Sequence, residues 1–131
     1  MTRKILLVDD EVGITRGLAM YLTENGDCEV RTENRGSRAL AVAREFRPDL
    51  FLLDIVMPDA EGGSIAAAIN VDPILKGTPI VFLTALVSRR EAGGNVAHIG
   101  GHLFLAKPVD PDSVLACIDS ELTSTFHARC A

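Results

Sequence analysis

Three short apolar runs in this chain end in charge. Asp54 closes Leu50 to Leu53, the acidic pair Asp9 and Asp10 closes Ile5 to Val8, and Lys107 follows Leu103 to Ala106. Strands that are apolar throughout belong to a sheet covered on both faces, where only the strand ends reach water. Ligands of such sheets bind at the carboxyl ends. Carboxylates gathered there repel and raise one another's pKa unless a cation sits among them. Hard oxygen donors with positions left for water and phosphate suit Mg2+, or Mn2+ in its place, better than zinc. Beside such a cation Asp54 stays ionised and can attack a phosphorus atom in line, forming an acyl phosphate. Lys107 would pair with the transferred oxygens and the Thr84 hydroxyl would donate to one of them, while the small side chain of Ala85 leaves room for the group.

For these residues to meet, the chain must bring several strand ends to one edge. Apolar runs recur at Ile5 to Val8, Glu29 to Thr32 (the weakest), Leu50 to Leu53, Pro79 to Leu83 and Leu103 to Ala106, with helical stretches between them. Asp9 and Asp54 lie about two strand-helix units apart, Thr84 one further and Lys107 one more, at roughly 30 residues per unit. Alternation of this kind implies right-handed crossovers and an α/β fold, a doubly wound five-stranded parallel sheet between two helix layers. Ile14, Leu18, Tyr21 and Leu22 recur at helical spacing, and Gly26 is placed to end that first helix. The second helix, from about Gly36, carries Ala39, Leu40, Ala43 and Phe46 and stops before Pro48. Pro111 suits the first turn of the last helix after Asp110, with Val114, Leu115, Ile118 and Leu122 as its buried stripe. The fourth helix is the weak one. Ser88 and Glu91 have capping-box spacing, but Gly93 and Gly94 follow, each unfavourable by about 1 kcal/mol relative to Ala inside a helix, so a short, bent or mobile helix is expected. Residues 1 to 123 form the expected domain, and 124 to 131, where the apolar period is lost, a frayed end or tail.

Composition excludes several classes. At 131 residues the chain fits one domain able to bury about two thirds of its unfolded surface. Apolar residues make up 47% and charged residues 24%, and no run approaches a membrane span, so a soluble protein is expected. No secretory signal is visible at Met1 to Lys4, which points to a cytoplasmic location. Cys28, Cys117 and Cys130 are odd in number and unclustered, fitting neither a disulfide framework nor a zinc site. His98 and His102 are separated by Gly100 and Gly101, which interrupt any helix that would pair them on a metal. The net charge of −5 with scattered basic residues argues against direct nucleic-acid binding. Asp59 and Glu61 are expected as solvated loop acids near the site.

Taken singly, each feature has a plainer explanation: Asp10 a helix cap, Thr84 a strand end, Lys107 a solvated charge, Met57-Pro58 a turn. Their joint order is more specific. Through Val8-Asp9-Asp10-Glu11, Leu53-Asp54-Ile55-Val56-Met57-Pro58, Thr84-Ala85 and Lys107-Pro108, over about residues 3 to 122, the chain resembles the receiver domains of two-component response regulators. The resemblance, and not the spacing, implies the strand order 2-1-3-4-5 of flavodoxin-like receivers. It makes Asp54 the phosphoacceptor, with Asp10 ligating Mg2+ directly, Asp9 largely through water, and the Val56 backbone carbonyl as a further ligand. Thr84 and Lys107 would sense the phosphoryl group, Phe104 would turn inward as a switch with Thr84, and the Lys107-Pro108 bond would be cis. Phe104 can pack but not hydrogen-bond, and an aromatic on a strand is as readily core as switch. In the family the residues two beyond the phosphoacceptor and two beyond the threonine flank the attacking water. Here they are Val56 and Leu86, both apolar, so a long-lived phospho-form is expected.

The resemblance implies a histidine kinase or phosphotransfer protein as donor. It implies a downstream effector or output domain that reads the fourth helix, fifth strand and fifth helix, with no turnover chemistry beyond self-phosphorylation and slow dephosphorylation. A homodimer through the fourth-helix face, to which Leu86, Val87 and Phe104 would add apolar area, stays open. Two alternatives remain: the N-terminal receiver of a longer regulator with a DNA-binding or enzymatic output domain, and a haloacid-dehalogenase-type phosphohydrolase. The second needs an acid two residues beyond the nucleophile, where this chain has Val56. A dinucleotide-binding module is disfavoured because no Gly-x-Gly-x-x-Gly follows the first strand.

Overall fold

The computed structural model describes residues 2–85, 96–99 and 102–130, with the backbone alone for 96–99, 102 and 124–130. The strands are β1 (Arg3–Val8), β2 (Cys28–Glu33), β3 (Leu50–Asp54), β4 (Ile80–Thr84), β5 (Val96–Ile99) and β6 (His102–Ala106). The helices are α1 (Val12–Asn25), α2 (Ala39–Phe46, entered through a 3-10 turn at Gly36–Arg38), α3 (Gly62–Val71) and α4 (Pro111–Cys130). One sheet holds all six strands in the order β2-β1-β3-β4-β6-β5. The neighbours from β2 through to β6 pair in parallel, so the five expected strands keep the 2-1-3-4-5 order.

The sixth strand is the addition. β5 pairs antiparallel with β6, from Val96 opposite Leu105 to Ile99 opposite His102, and forms an edge that the sequence reading did not foresee. His98 and His102 both lie in this hairpin, opposite Leu103 and Ile99, rather than on a helix. The expected fourth-helix start at Ser88 to Gly94 lies outside the described residues, as do Leu86 and Val87. From Ser124, where a frayed helix end or tail was expected, the helical backbone of α4 runs on to Cys130.

Alternation along each strand builds the two cores. Ile5, Leu7, Leu50, Leu52, Leu83 and Leu105 face one side with Leu18 and Leu22 of α1 and Val114 and Ile118 of α4. Leu6, Val8, Phe51, Leu53 and Phe82 face the other with Ala39, Val42, Ala43 and Phe46 of α2 and Ile65 and Ile69 of α3. Because side chains one residue apart point to opposite faces, a buried run such as Leu50 to Leu53 feeds both layers. Each fully buried leucine contributes roughly 2 kcal/mol. β2, at the other edge, exposes Glu29, Arg31 and Thr32, which is why its apolar signal is weak.

Helix ends follow local chemistry. Gly26 does stop α1, its N–H donating to Leu22 O at 2.9 Å, but its φ is −113°, and the left-handed residue is Asp27 with φ 51°. The constraint at 26 is one of space: a Cβ there would lie 3.0 Å from the backbone oxygen of Leu22 and 2.6 Å from Leu115 Cδ1, a side-chain end that would have to turn aside. Arg47, with φ 54°, ends α2 just before Pro48. The first turn of α4 is held by Asp110, which accepts from Val114 N at 3.0 Å and from Ser113 Oγ at 3.0 Å. Among the described residues no helix is long and apolar enough to cross a membrane.

Candidate functional site

Sheet register brings the chemistry to one edge. Val8 lies opposite Leu53, Asp54 opposite Leu83, and Thr84 opposite Ala106. The next residues along, Asp9 and Lys107, therefore flank Asp54 and Thr84 at the carboxyl end of the sheet. Asp9 and Asp54 are buried, at 0% and 4% exposure, and one carboxylate oxygen from each of Asp9, Asp10 and Asp54 lies within 4.8 Å of the others. Lys107 Nζ is 2.8 Å from Asp9 Oδ2, 3.3 Å from Asp54 Oδ2 and 3.2 Å from Glu11 Oε1. The Lys107 N–H of the main chain donates to Thr84 O at 2.8 Å, tying the ends of β4 and β6, and the Lys107-Pro108 bond is cis.

The electrostatics are those of crowded acids. Burial pushes the Asp54 carboxyl up to about 6, the nearby charge of Asp9 adds to this, and Lys107 and the Val56 N–H, 3.3 Å from Asp54 Oδ1, pull the other way. Burial would lower the Lys107 ammonium, but the attraction of the Asp9 carboxylate 2.8 Å away, followed by Asp54 and Glu11, outweighs that and holds its pKa above the ordinary value. Asp9 Oδ1 accepts from Glu11 N at 3.0 Å. Asp9 Oδ2 is fully buried and accepts no hydrogen bond of good direction among the described residues, where the Lys107 ammonium is its ion-pair partner. A buried carboxylate oxygen with unused lone pairs, beside two further carboxylates, is a donor set that fits a hard divalent cation.

A model of the response regulator receiver domain matches residues 5–119. This chain belongs to that family. The receiver is 32% identical over 116 residues to response regulator Rre1 of Synechocystis, covering 87% of this chain and 49% of that protein. It is 31% identical over 122 residues to the DNA-binding response regulator MtrA of Mycolicibacterium smegmatis, covering 93% and 51%. Among solved structures, the chemotaxis response regulator CheY4 of Vibrio cholerae superposes with a TM-score of 0.75 at 28% identity, covering 92% of this chain and 98% of that one. The chain thus spans about half the length of these two curated relatives. Receiver domains act in two-component signalling, with histidine kinases or phosphotransfer proteins as phosphodonors, and as a family they bind Mg2+ and carry phosphate on an aspartate.

In this receiver the expected residues separate into two groups. Asp9, Asp10, Asp54 and Lys107 converge, and Thr84, 1% exposed, ends the strand between Asp54 and Lys107. Val56 stands two residues beyond Asp54 in the loop and is 60% exposed. Phe104 lies away from the acids, opposite Phe82 across the strands with ring centroids 5.1 Å apart, and both border a cleft of about 320 Å3 beside α3.

Sequence reasoning missed three participants. Glu11 is a third carboxylate on Lys107, beside Asp9 and Asp54, signalled only by its place after the acidic pair. Asp59 is the exposed loop acid that was expected, and beyond that expectation it accepts from Gly36 N and Ser37 N at 3.1 Å and from Ser37 Oγ at 2.8 Å, capping the 3-10 turn that leads into α2. These bonds, those of Ser37 first, hold its carboxyl below the ordinary value. Asn34 follows the last residue of β2 and reaches the acidic loop; its position at a carboxyl strand end was its signal, obscured by the weakness of that strand.

Proposed function

We propose that this receiver accepts a phosphoryl group on Asp54 from a histidine kinase or a phosphotransfer protein. The observation that carries the reading is Asp54 at the centre of an acidic cluster with the Lys107 ammonium 3.3 Å away. An oxygen of the Asp54 carboxylate attacks phosphorus as the bond from phosphorus to the donor's histidine nitrogen breaks, and the imidazole leaves with the electron pair. Lys107 and the Thr84 hydroxyl stabilise charge on the transferred oxygens, so the protein's contribution is positioning and electrostatics. Asp9, Asp10, Asp54 and the Val56 carbonyl would hold Mg2+ or Mn2+, which when bound supplies positive charge to the phosphoryl oxygens. The chain does no multiple-turnover chemistry in this reading, since Val56 stands where a dehalogenase-type phosphohydrolase needs its second acid.

Thr84 and Phe104 are the proposed switch, and β6 with α4, together with the helix expected from Ser88, the surface a downstream partner or a second copy reads. A cytoplasmic location goes with such donors. Residues 1 to 123 are the proposed receiver unit. Because the matched relatives are about twice as long, a second reading places this chain as the N-terminal part of a regulator with its own output domain.

Incubation with acetyl phosphate, followed by intact mass, tests the assignment. One phosphoryl group is expected with Mg2+, none with EDTA and none in Asp54→Asn. Uptake by the variant would overturn it. The lifetime follows from the site's mouth: Val56 is exposed and apolar and offers nothing to orient an attacking water. Val56→Asn should shorten the half-life of the phospho-form by several-fold, more so combined with Leu86→Glu, and unchanged decay would remove this account of the lifetime.

A further inference from the structure

The acidic pair sits on a turn whose path is held from β2 by one side chain. Asn34 Nδ2 donates to the Asp9 carbonyl oxygen at 2.7 Å and to Thr15 Oγ1 at 3.0 Å. The Thr15 hydroxyl in turn donates to Val12 O at 3.0 Å, and the Thr15 N–H donates to Glu11 O at 3.1 Å. Both hydrogens of the amide nitrogen are thus used, and the hydroxyl accepts once and donates once, a network with no unused donor among its members. Thr15 is 2% exposed, which makes it the buried residue of the first turn of α1, where the apolar period pointed to Ile14. Asn34 is itself braced: Glu33 O accepts from Asp9 N at 3.1 Å, and the Glu33 carboxylate accepts from Arg35 N at 3.1 Å.

The Asp9 carbonyl belongs to the peptide that joins Asp9 to Asp10, so fixing that oxygen fixes the plane from which the Asp10 side chain departs. Asn34 also borders, with Asp10, Pro58 and Asp59, a cleft of about 410 Å3 at the same sheet edge. We propose that Asn34, through Thr15, is a positioning residue for the cation site: it sets the direction in which Asp10 offers its carboxylate. The inference rests on reading Asp9, Asp10 and Asp54 as a divalent-cation site. Outer partners that orient ligands typically change metal affinity by about 10-fold to 100-fold when removed.

The test is a calorimetric titration of the unphosphorylated protein with Mg2+, which needs no phosphodonor and so separates this inference from phosphate uptake on Asp54. Asn34→Ala should weaken Mg2+ binding by about tenfold. Thr15→Val should weaken it in the same direction, while Thr15→Ser, which keeps the hydroxyl, stays within about twofold of the parent protein. Asn34→Leu, close in volume, gives the same result if the smaller residue impairs folding. In acetyl phosphate labelling, the Mg2+ concentration for half-maximal rate should rise by the same factor, with the rate at saturating Mg2+ retained. Parent-like Mg2+ affinity in Asn34→Ala and Asn34→Leu overturns the proposal, as does a lower thermal midpoint with affinity intact, which would mark a structural role only. A parent protein that binds no Mg2+ overturns it too, whereas one that binds Mg2+ but takes up no phosphate leaves the inference standing and removes the phosphoacceptor reading.

Discussion

In EDTA at pH 7.5, Asp54→Asn is expected to be more stable than the parent protein by about 1–3 kcal/mol, from a displacement of roughly two pKa units at 1.36 kcal/mol each as the upper bound. Burial is the first cause of the raised carboxyl, at about 6 against 3.8, and the Asp9 charge the second. The side chain is only 5% exposed, so solvent screens this little. Between pH 4 and 6 the unfolded chain has released the Asp54 proton and the folded chain retains it. Unfolding therefore releases a proton there, and the stability that the neutral carboxyl allows is lost as pH rises through the window, with no further loss above it. The gain from Asp54→Asn should accordingly be full at pH 7.5 and vanish near pH 4. Asp59 and Asp72, whose carboxyls lie below the ordinary value, contribute stability that is lost as pH falls further, and do so equally in both proteins. The substitution strands no cation, because Lys107 keeps Asp9 at 2.8 Å and Glu11 at 3.2 Å. Urea unfolding of both proteins across this range measures the difference; a variant less stable at pH 7.5, or a gain that does not fall with pH, would contradict the account. An acid whose ionisation opposes folding is what a site pre-arranged to receive a cation and a phosphoryl group requires.

How much of this could be read before the fold was known depends on where the information sits. The strands that carry Asp9, Asp54, Thr84 and Lys107 are central and buried on both faces, so their apolar runs are unbroken and their ends are marked by charge. β2 is an edge, alternates weakly, and hid Asn34 with it. β5 escaped for a different reason: its four residues gain their strand character from pairing with β6, a tertiary contact that no local period announces. The stripe of α1 gave Leu18 and Leu22 correctly, but a buried threonine looks polar in a sequence, and the partner that makes Thr15 tolerable in the interior lies 19 residues away. The role of Asp59 was likewise concealed, because its capping partners come from another loop, 22 and 23 residues earlier.

Gly62→Ala is expected to destabilise the protein by about 3 kcal/mol or more, the upper range for forcing extra atoms into a packed site. Gly62 opens α3, and its N–H donates to Ile55 O at 2.7 Å, which draws the helix start against the end of β3. A Cβ at this position would stand 2.4 Å from Asp54 O, 2.7 Å from Ile55 Cα and 3.1 Å from Asp54 C. All three are backbone atoms, so no side chain can rotate aside. Either α3 lifts from the sheet or the strand end carrying Asp54 is displaced. The second route would also slow acetyl phosphate labelling, since a small misplacement of a reacting carboxylate lowers its rate steeply. Gly63 is the control. A Cβ there meets nothing within 4 Å and its φ is not left-handed, so Gly63→Ala should stabilise by up to about 1 kcal/mol through helix propensity and a less flexible unfolded chain. Urea midpoints and labelling rates of the two variants, one residue apart, read the difference. If both behave alike, close approach of backbone to backbone is not what selects glycine at 62, and the tight seating of α3 on the phosphoacceptor strand is not what holds Asp54 in place.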